Sequence, residues 1–162
     1  MPEGWHPKGW KKIYPSVGKK HLNRMFTICE QVKTWSSCPP GRQHACVLAV
    51  EGKWIIATGY NGMPPRKVCK IVKTCDGLYR EDMYKHCVAI HAEVNSVNNL
   101  LQGMPERCIA FVSKKPCIKC MGFLKEKGVH EVYWREYSKN MPGTIIDQGN
   151  KELAKYDPQT GR

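Results

Sequence analysis

Two short stretches decide how this chain is read: C-V-A-I-H-A-E-V-N-S-V-N-N-L-L at residues 87–101 and P-C-I-K-C at residues 116–120. The imidazole of His91 and the thiols of Cys117 and Cys120 are ligands that zinc prefers, and three protein ligands leave the fourth tetrahedral position for water. That is the arrangement of a catalytic zinc. Glu93 follows His91 by two residues and is not needed as a ligand, so it is placed to hold and shuttle the protons of that water. Either half alone is weak, because C-x-x-C also serves redox pairs and structural metal sites.

Both stretches read as helices. Val88, Ala92, Val94 and Leu101 share a helical period over residues 87–101, with His91 and Asn95 one turn apart. Pro116 suits the first turn of a helix over residues 117–127, which puts Cys117 and Cys120 on one face of its N-terminus, where the partial positive charge favours thiolates. Gly128 ends that helix. Residues 108–112 and 129–134 read as strands on either side of it. Upstream, Leu22, Met25, Phe26, Cys29 and Val32 mark an amphipathic helix over residues 20–36, stopped before Pro39-Pro40. Cys29 lies on its apolar stripe as a small hydrophobe. The runs Q-H-A-C-V-L-A-V (43–50) and W-I-I-A-T-G-Y (54–60), joined by Glu51-Gly52-Lys53, form an antiparallel hairpin. Strands alternating with helices after a hairpin predict an α/β fold, a mixed sheet of four to five strands flanked by helices, with both metal-bearing helices on one face. Beyond Tyr137 the chain is polar, and only residues 145–156 offer a final helix.

The chain has 162 residues, enough for one domain with its own core, so nine cysteines exceed any need for disulfide staples. No stretch has the apolar length of a signal peptide core or a membrane span, and the thiols read as reduced, cytoplasmic and partly metal-bound. The formal charge is +12. It falls to about +10 if six cysteines ionise around two zinc ions. Such a field attracts an acidic partner without choosing between a nucleotide phosphate and a polynucleotide.

Residues 1–18 form a basic, aromatic arm with Trp5, Trp10 and Tyr14 among Lys8, Lys11 and Lys12, and residues 19–162 form one domain. The arm suits either stacking on single-stranded nucleic acid or packing of its tryptophans on the domain or a neighbouring subunit. A long lysine-rich insertion over residues 63–87 carries Cys69, Cys75, His86 and Cys87. A loop of that length in a compact domain needs a reason, and a second, closed zinc site is one. Its ligands are Cys38, Cys69, Cys75 and Cys87, with His86 as substitute for one of them. The alternative is a set of scattered free thiols. Asn61, in G-Y-N-G-M-P, offers donors and an acceptor to a sugar hydroxyl, or sits in an ordinary Asn-Gly turn.

H-x-E followed by P-C-x-x-C is the signature of the zinc nucleobase deaminases. With W-S-S-C, T-G-Y-N-G-M-P, H-C-V-A-I-H-A-E-V-N, K-P-C-I-K-C-M-G-F and V-Y-W-R-E-Y, the chain from about Trp35 to Tyr137 resembles the deoxycytidylate (dCMP) deaminases of the cytidine deaminase superfamily. The resemblance implies a cytidine-deaminase-like three-layer fold and hydrolysis of dCMP to dUMP with ammonia release, feeding thymidylate synthesis. It implies a catalytic zinc on His91, Cys117 and Cys120, with Glu93 as general acid and base. Asn61 would contact the deoxyribose, and Asn95 and Tyr137 would line the nucleotide site. A second, structural zinc at positions matching Cys38 and Cys69, a homo-oligomer (often a hexamer) and dCTP and dTTP effectors are further implications. Ser113-Lys114-Lys115 departs from the neutral residues usual before Pro-Cys, adding positive charge beside the site.

Two rival readings remain at this point. One is a deaminase acting on cytosine or adenine in single-stranded DNA or RNA, with the N-terminal arm as platform. The other is a zinc-stabilised binding module with both sites closed, which gives Glu93 no task.

Overall fold

The computed structural model describes residues 17–69, 87–137, 140, 145–151 and 153–161. Within them run α1 (Lys19–Lys33), β1 (Ala45–Val50), β2 (Trp54–Tyr60), α2 (Ala92–Asn98), β3 (Cys108–Val112), α3 (Ile118–Glu126), β4 (Glu131–Tyr137), β5 (Ile145–Asn150) and a 3₁₀ turn at Leu153–Lys155. The N-terminal arm up to residue 16 and most of the insertion, with Cys75 and His86, lie outside the described residues.

The strands form one mixed sheet in the order β2-β1-β3-β4-β5. β1 runs antiparallel to both β2 and β3, β3 and β4 are parallel, and β4 and β5 are antiparallel. A parallel pair needs a crossover, and α3 supplies it between β3 and β4. Helix α1 covers one face, packing Met25, Phe26, Cys29 and Val32 on Ala45, Val47, Ala49, Ile109, Phe111 and Tyr133. Helices α2 and α3 share the other face, where Ala92, Met121 and Leu124 meet Cys46, Leu48, Ala110, Val112 and Val132. Successive residues of β1 and β3 therefore enter opposite cores. This is why both strands read as unbroken apolar runs instead of an alternation.

The hairpin forms as expected, with Glu51 and Gly52 both at positive φ (56° and 69°) in its loop. Three expectations need correction. The helix read over residues 87–101 is shorter, Ala92–Asn98, because His91 takes an extended conformation as its N-cap and Ile90 pairs with Gly62 across a β-bridge. Val88 and Leu101, read as part of its apolar stripe, are exposed. Pro116 stands before the N-cap residue Cys117, one position earlier than expected. The final helix over residues 145–156 is replaced by β5 and the 3₁₀ turn. Three features favour the strand: the β-branched Ile145-Ile146 pair, the opposite charges of Arg135 and Asp147 paired across β4 and β5 at 2.9 Å, and Gly149, whose bare backbone fits against the Tyr133 ring.

Three core cysteines are chemically silent. Burial pushes Cys29 and Cys108 up to about 12 and pushes Cys46 well up. The Cys29 thiol also donates to the Phe111 carbonyl at 3.3 Å. The thiolate is the reactive form, and at pH 8 a pKa near 12 leaves roughly one in 10⁴ ionised. Iodoacetamide treatment of the native protein at pH 8 is expected to leave all three unmodified, and unfolding should expose them, as read by peptide mass spectrometry. Labelling of any of them in the native protein would contradict this packing.

Among the described residues no helix is long and apolar enough to cross a membrane.

Candidate metal centre and active site

The site stands at the edge of the sheet where β1 begins and β2 and β3 end. Two helix starts deliver its metal-ligating groups. His91 is the N-cap residue of α2 and Cys117 that of α3, both in extended backbone conformation. Cys120 is one turn into α3, and its backbone N–H donates to the Cys117 sulfur at 3.5 Å. Among the described residues, His91, Cys117 and Cys120 are the group of three whose ligand atoms all lie within 4.8 Å of one another. His91 Nδ1 is 3.3 Å from Cys120 Sγ and 3.8 Å from Cys117 Sγ. Tetrahedral zinc with Zn–S near 2.3 Å and Zn–N near 2.0–2.1 Å separates a nitrogen and a sulfur ligand by about 3.5 Å. The two observed distances straddle that value, so both the donor set and its spacing fit zinc.

The electrostatics of the triad are strongly perturbed. Hydrogen bonds with Cys120 and His91 push Cys117 down to about 4, against the opposing effect of burial. Cys120 is pushed up, by its hydrogen bond with Cys117 first and burial second. His91 is raised, chiefly by its hydrogen bond with Cys117. Glu93 is buried, and burial is the main cause that pushes its carboxyl up. Its side chain is within hydrogen-bonding reach of Cys120, so the carboxyl lies directly beside the ligand cluster. A buried carboxyl beside the candidate metal ligands is placed to take and return protons.

Basic residues surround His44, whose ring feels the charge of His91. His44, just before β1, is held by its N–H to Asn61 Oδ1 at 2.8 Å and by its carbonyl, which accepts from the Asn61 N–H at 3.1 Å. Burial pushes its pKa down to about 4, assisted by the charges of Lys114, Arg42, His91 and Lys33. Ser113 ties the end of β3 to Ala45 through two hydrogen bonds of 3.0 Å, which places Lys114 beside His44. Lys115 turns the other way, with Nζ 5.8 Å from the Trp134 ring centroid.

Of the remaining predicted site residues, Asn61 and Asn95 have hydrogen-bond partners within the chain. Asn61 Nδ2 donates to the Arg42 carbonyl at 2.6 Å and toward Cys38 Sγ at 3.4 Å, while Oδ1 accepts from Ser36 Oγ at 2.9 Å and from the His44 N–H. The Ser36 hydroxyl also lies 2.6 Å from the Asn61 carbonyl oxygen, so its one proton is shared between the two acceptors. Asn95 Nδ2 donates to the Tyr60 carbonyl at 2.8 Å. The side chain of Tyr137 lies outside the described residues. Cys38, Cys69 and Cys87 are described, but they form no group of three with ligand atoms within 4.8 Å. Arg42, His44 and Asn99 carry no motif that marks them in the sequence, and Ser36 is marked only as part of W-S-S-C. For Asn99 alone, its spacing of four residues from Asn95 was a usable signal.

Residues 19–136 match the family model described as the cytidine and deoxycytidylate deaminase zinc-binding region. The Caenorhabditis elegans protein named "Probable deoxycytidylate deaminase" is 28% identical over 131 residues, covering 78% of this chain and 63% of that protein. The Mus musculus deoxycytidylate deaminase is 28% identical over 97 residues, covering 60% of this chain and 54% of its own length. The chain thus spans less than two thirds of these relatives. In fold it is similar to the dCMP deaminase of cyanophage S-TIM5 in complex with dCMP and dUMP, with a TM-score of 0.56 and 20% identity, covering 74% of this chain and 83% of the phage chain. It is also similar to the cytidine deaminase of Burkholderia pseudomallei, with a TM-score of 0.50 and 10% identity, covering 82% and 92% of the two chains. The five-stranded mixed sheet is accordingly a cytidine-deaminase-like fold, and with a family match running from α1 into β4 over a His-Cys-Cys zinc site, the chain belongs to the cytidine and deoxycytidylate deaminase family.

Proposed function

We propose that this protein is a zinc-dependent hydrolase that converts dCMP to dUMP and releases ammonia, with His91, Cys117 and Cys120 holding the zinc. The observation that carries the reading is the buried Glu93 carboxyl, pushed up by its burial and set against the ligand cluster. Zinc held by His91, Cys117 and Cys120 would supply the Lewis acidity that brings the pKa of a bound water to about 7. Glu93 accepts a proton from that water and delivers it to N3 of cytosine as oxygen adds at C4. It then carries a second proton to the departing amine, so that water is consumed, ammonia leaves and uracil remains. Ligation and proton transfer thus fall to different residues.

A monophosphate substrate is supported by the names of the relatives and by the positive charge that Arg42 and Lys114 place near His44. The wider reading includes a second zinc involving Cys38, Cys69 and Cys87 with residues of the insertion, a homo-oligomer, dCTP and dTTP effectors, and a cytoplasmic location suited to reduced, metal-binding thiols.

Ammonia release by zinc-loaded protein, measured with dCMP beside deoxycytidine, dCTP and a cytosine-containing single strand, tests the proposal. Fast release from dCMP alone is expected. Release only from the strand would replace it with a polynucleotide deaminase.

A further inference from the structure

β2 is an edge strand, and its outer side is occupied over part of its length by the metal-bearing helix. The Thr58 carbonyl accepts from Asn99 Nδ2 at 2.8 Å, and the Tyr60 carbonyl accepts from Asn95 Nδ2 at 2.8 Å. Two residues further on, Gly62 and Ile90 exchange both backbone hydrogen bonds, at 3.1 and 2.8 Å. Residues 58, 60 and 62 alternate onto the same side of the strand, away from β1. The N-terminal lead of α2 and two asparagines one turn apart therefore continue the ladder that a neighbouring strand would make.

This matters because α2 has seven residues, too few to be stable or fixed in direction by its own hydrogen bonds. It carries His91 at its start, whereas Cys117 and Cys120 ride on α3. The spacing of the metal ligands is therefore set by how α2 is held against β2. Gly59, between the two acceptor carbonyls, lets the helix backbone come close enough for the short asparagine side chains to reach.

We propose that Asn95 and Asn99 are positioning residues of the metal centre, stapling α2 to the free edge of β2 so that His91 meets the two cysteines. This rests on the deaminase reading only for its kinetic arm. Neither residue touches the ligand cluster, and Asn99 lies a full turn beyond Asn95, further from His91. The assignment gives Asn95 a task that differs from lining a nucleotide.

The test uses the zinc-loaded full chain with Asn95→Asp, Asn99→Asp, Asn95→Gln and Asn99→Gln. Aspartate keeps the shape and removes the donor facing a carbonyl, whereas glutamine keeps the donor. Zinc transfer to a chromogenic chelator and the steady-state constants for dCMP are measured together. Each aspartate variant is expected to release zinc about three- to tenfold faster, the range of one net hydrogen bond. Turnover should fall while KM for dCMP stays within about twofold, and the glutamine variants should recover most of the loss. Wild-type zinc release in both aspartate variants would overturn the proposal. So would a rise in KM confined to the Asn95 variants with Asn99 neutral, which would make Asn95 a substrate contact. If the wild-type protein does not turn over dCMP, the functional reading fails while the zinc-release comparison still decides the staple.

Discussion

Glu93→Ala is expected to purify with the same zinc content as the wild-type protein and to lose dCMP turnover by about 10²–10⁴-fold, the usual contribution of a positioned general acid and base. The metal is expected to stay because its three ligands, His91, Cys117 and Cys120, are untouched. Turnover is expected to fall because, among the described residues, Glu93 is the carboxyl set against that cluster. Glu93→Gln makes the same point without leaving a cavity. The amide fills the space and cannot carry protons, so turnover should fall as far as in the alanine variant. Its melting temperature should hold or rise, since burial raises the Glu93 pKa and thereby disfavours the ionised form. Metal analysis, single-substrate kinetics and thermal melts on the three proteins are sufficient. A fully zinc-loaded alanine variant within tenfold of the wild-type rate would remove Glu93 from the chemistry and leave the mechanism without its proton carrier.

Gly59→Ala should cost more stability than any other single methyl addition at a described glycine. A Cβ built there would lie 2.2 Å from the Ser96 backbone N and 2.6 Å from the Ala92 carbonyl oxygen, both fixed atoms of α2. No rotamer change relieves a clash with backbone, so the helix must move away from β2. At Gly149 the nearest atom is 2.5 Å away but belongs to the Tyr133 side chain and not to backbone. Overpacking typically costs 1–3 kcal/mol and occasionally more, and about 3 kcal/mol in a chain of this size lowers Tm by roughly 6–12 °C. Movement of α2 carries His91 with it, so zinc retention should fall together with Tm. Gly103→Ala, where a Cβ meets nothing within 4 Å, is the control and should stay within about 0.5 kcal/mol of wild type. Equal melting temperatures for the two variants would mean that α2 is not pressed against β2 as described.

The chemistry of the centre and most of the framework were legible in the residues themselves. His91, Cys117 and Cys120 point to a zinc site because H-x-E and P-C-x-x-C occur together and in that order, and Glu93 stands out as the carboxylate left over. The stripe of Met25, Phe26, Cys29 and Val32 and the hairpin around Gly52 follow from period and turn chemistry, which are local properties. What only the tertiary structure decided involves partners distant in sequence. Whether residues 145–150 become helix or strand depends on β4 offering a free edge, with Arg135 opposite Asp147 and the Tyr133 ring beside Gly149. Asn61 stands in a turn-rich stretch of the sequence, and only the fold brings Ser36, Arg42 and His44 around its amide. Asn95, expected to line the nucleotide site, and Asn99 gain their observed partners only when β2, more than thirty positions earlier, presents the carbonyls of Tyr60 and Thr58. The sequence by itself determined which side chains are suited to hold a metal and to carry protons, because ligand and proton chemistry belong to side chains. Only the fold decided what holds those atoms in place, because an edge strand's unpaired carbonyls acquire partners when the helix packs against them.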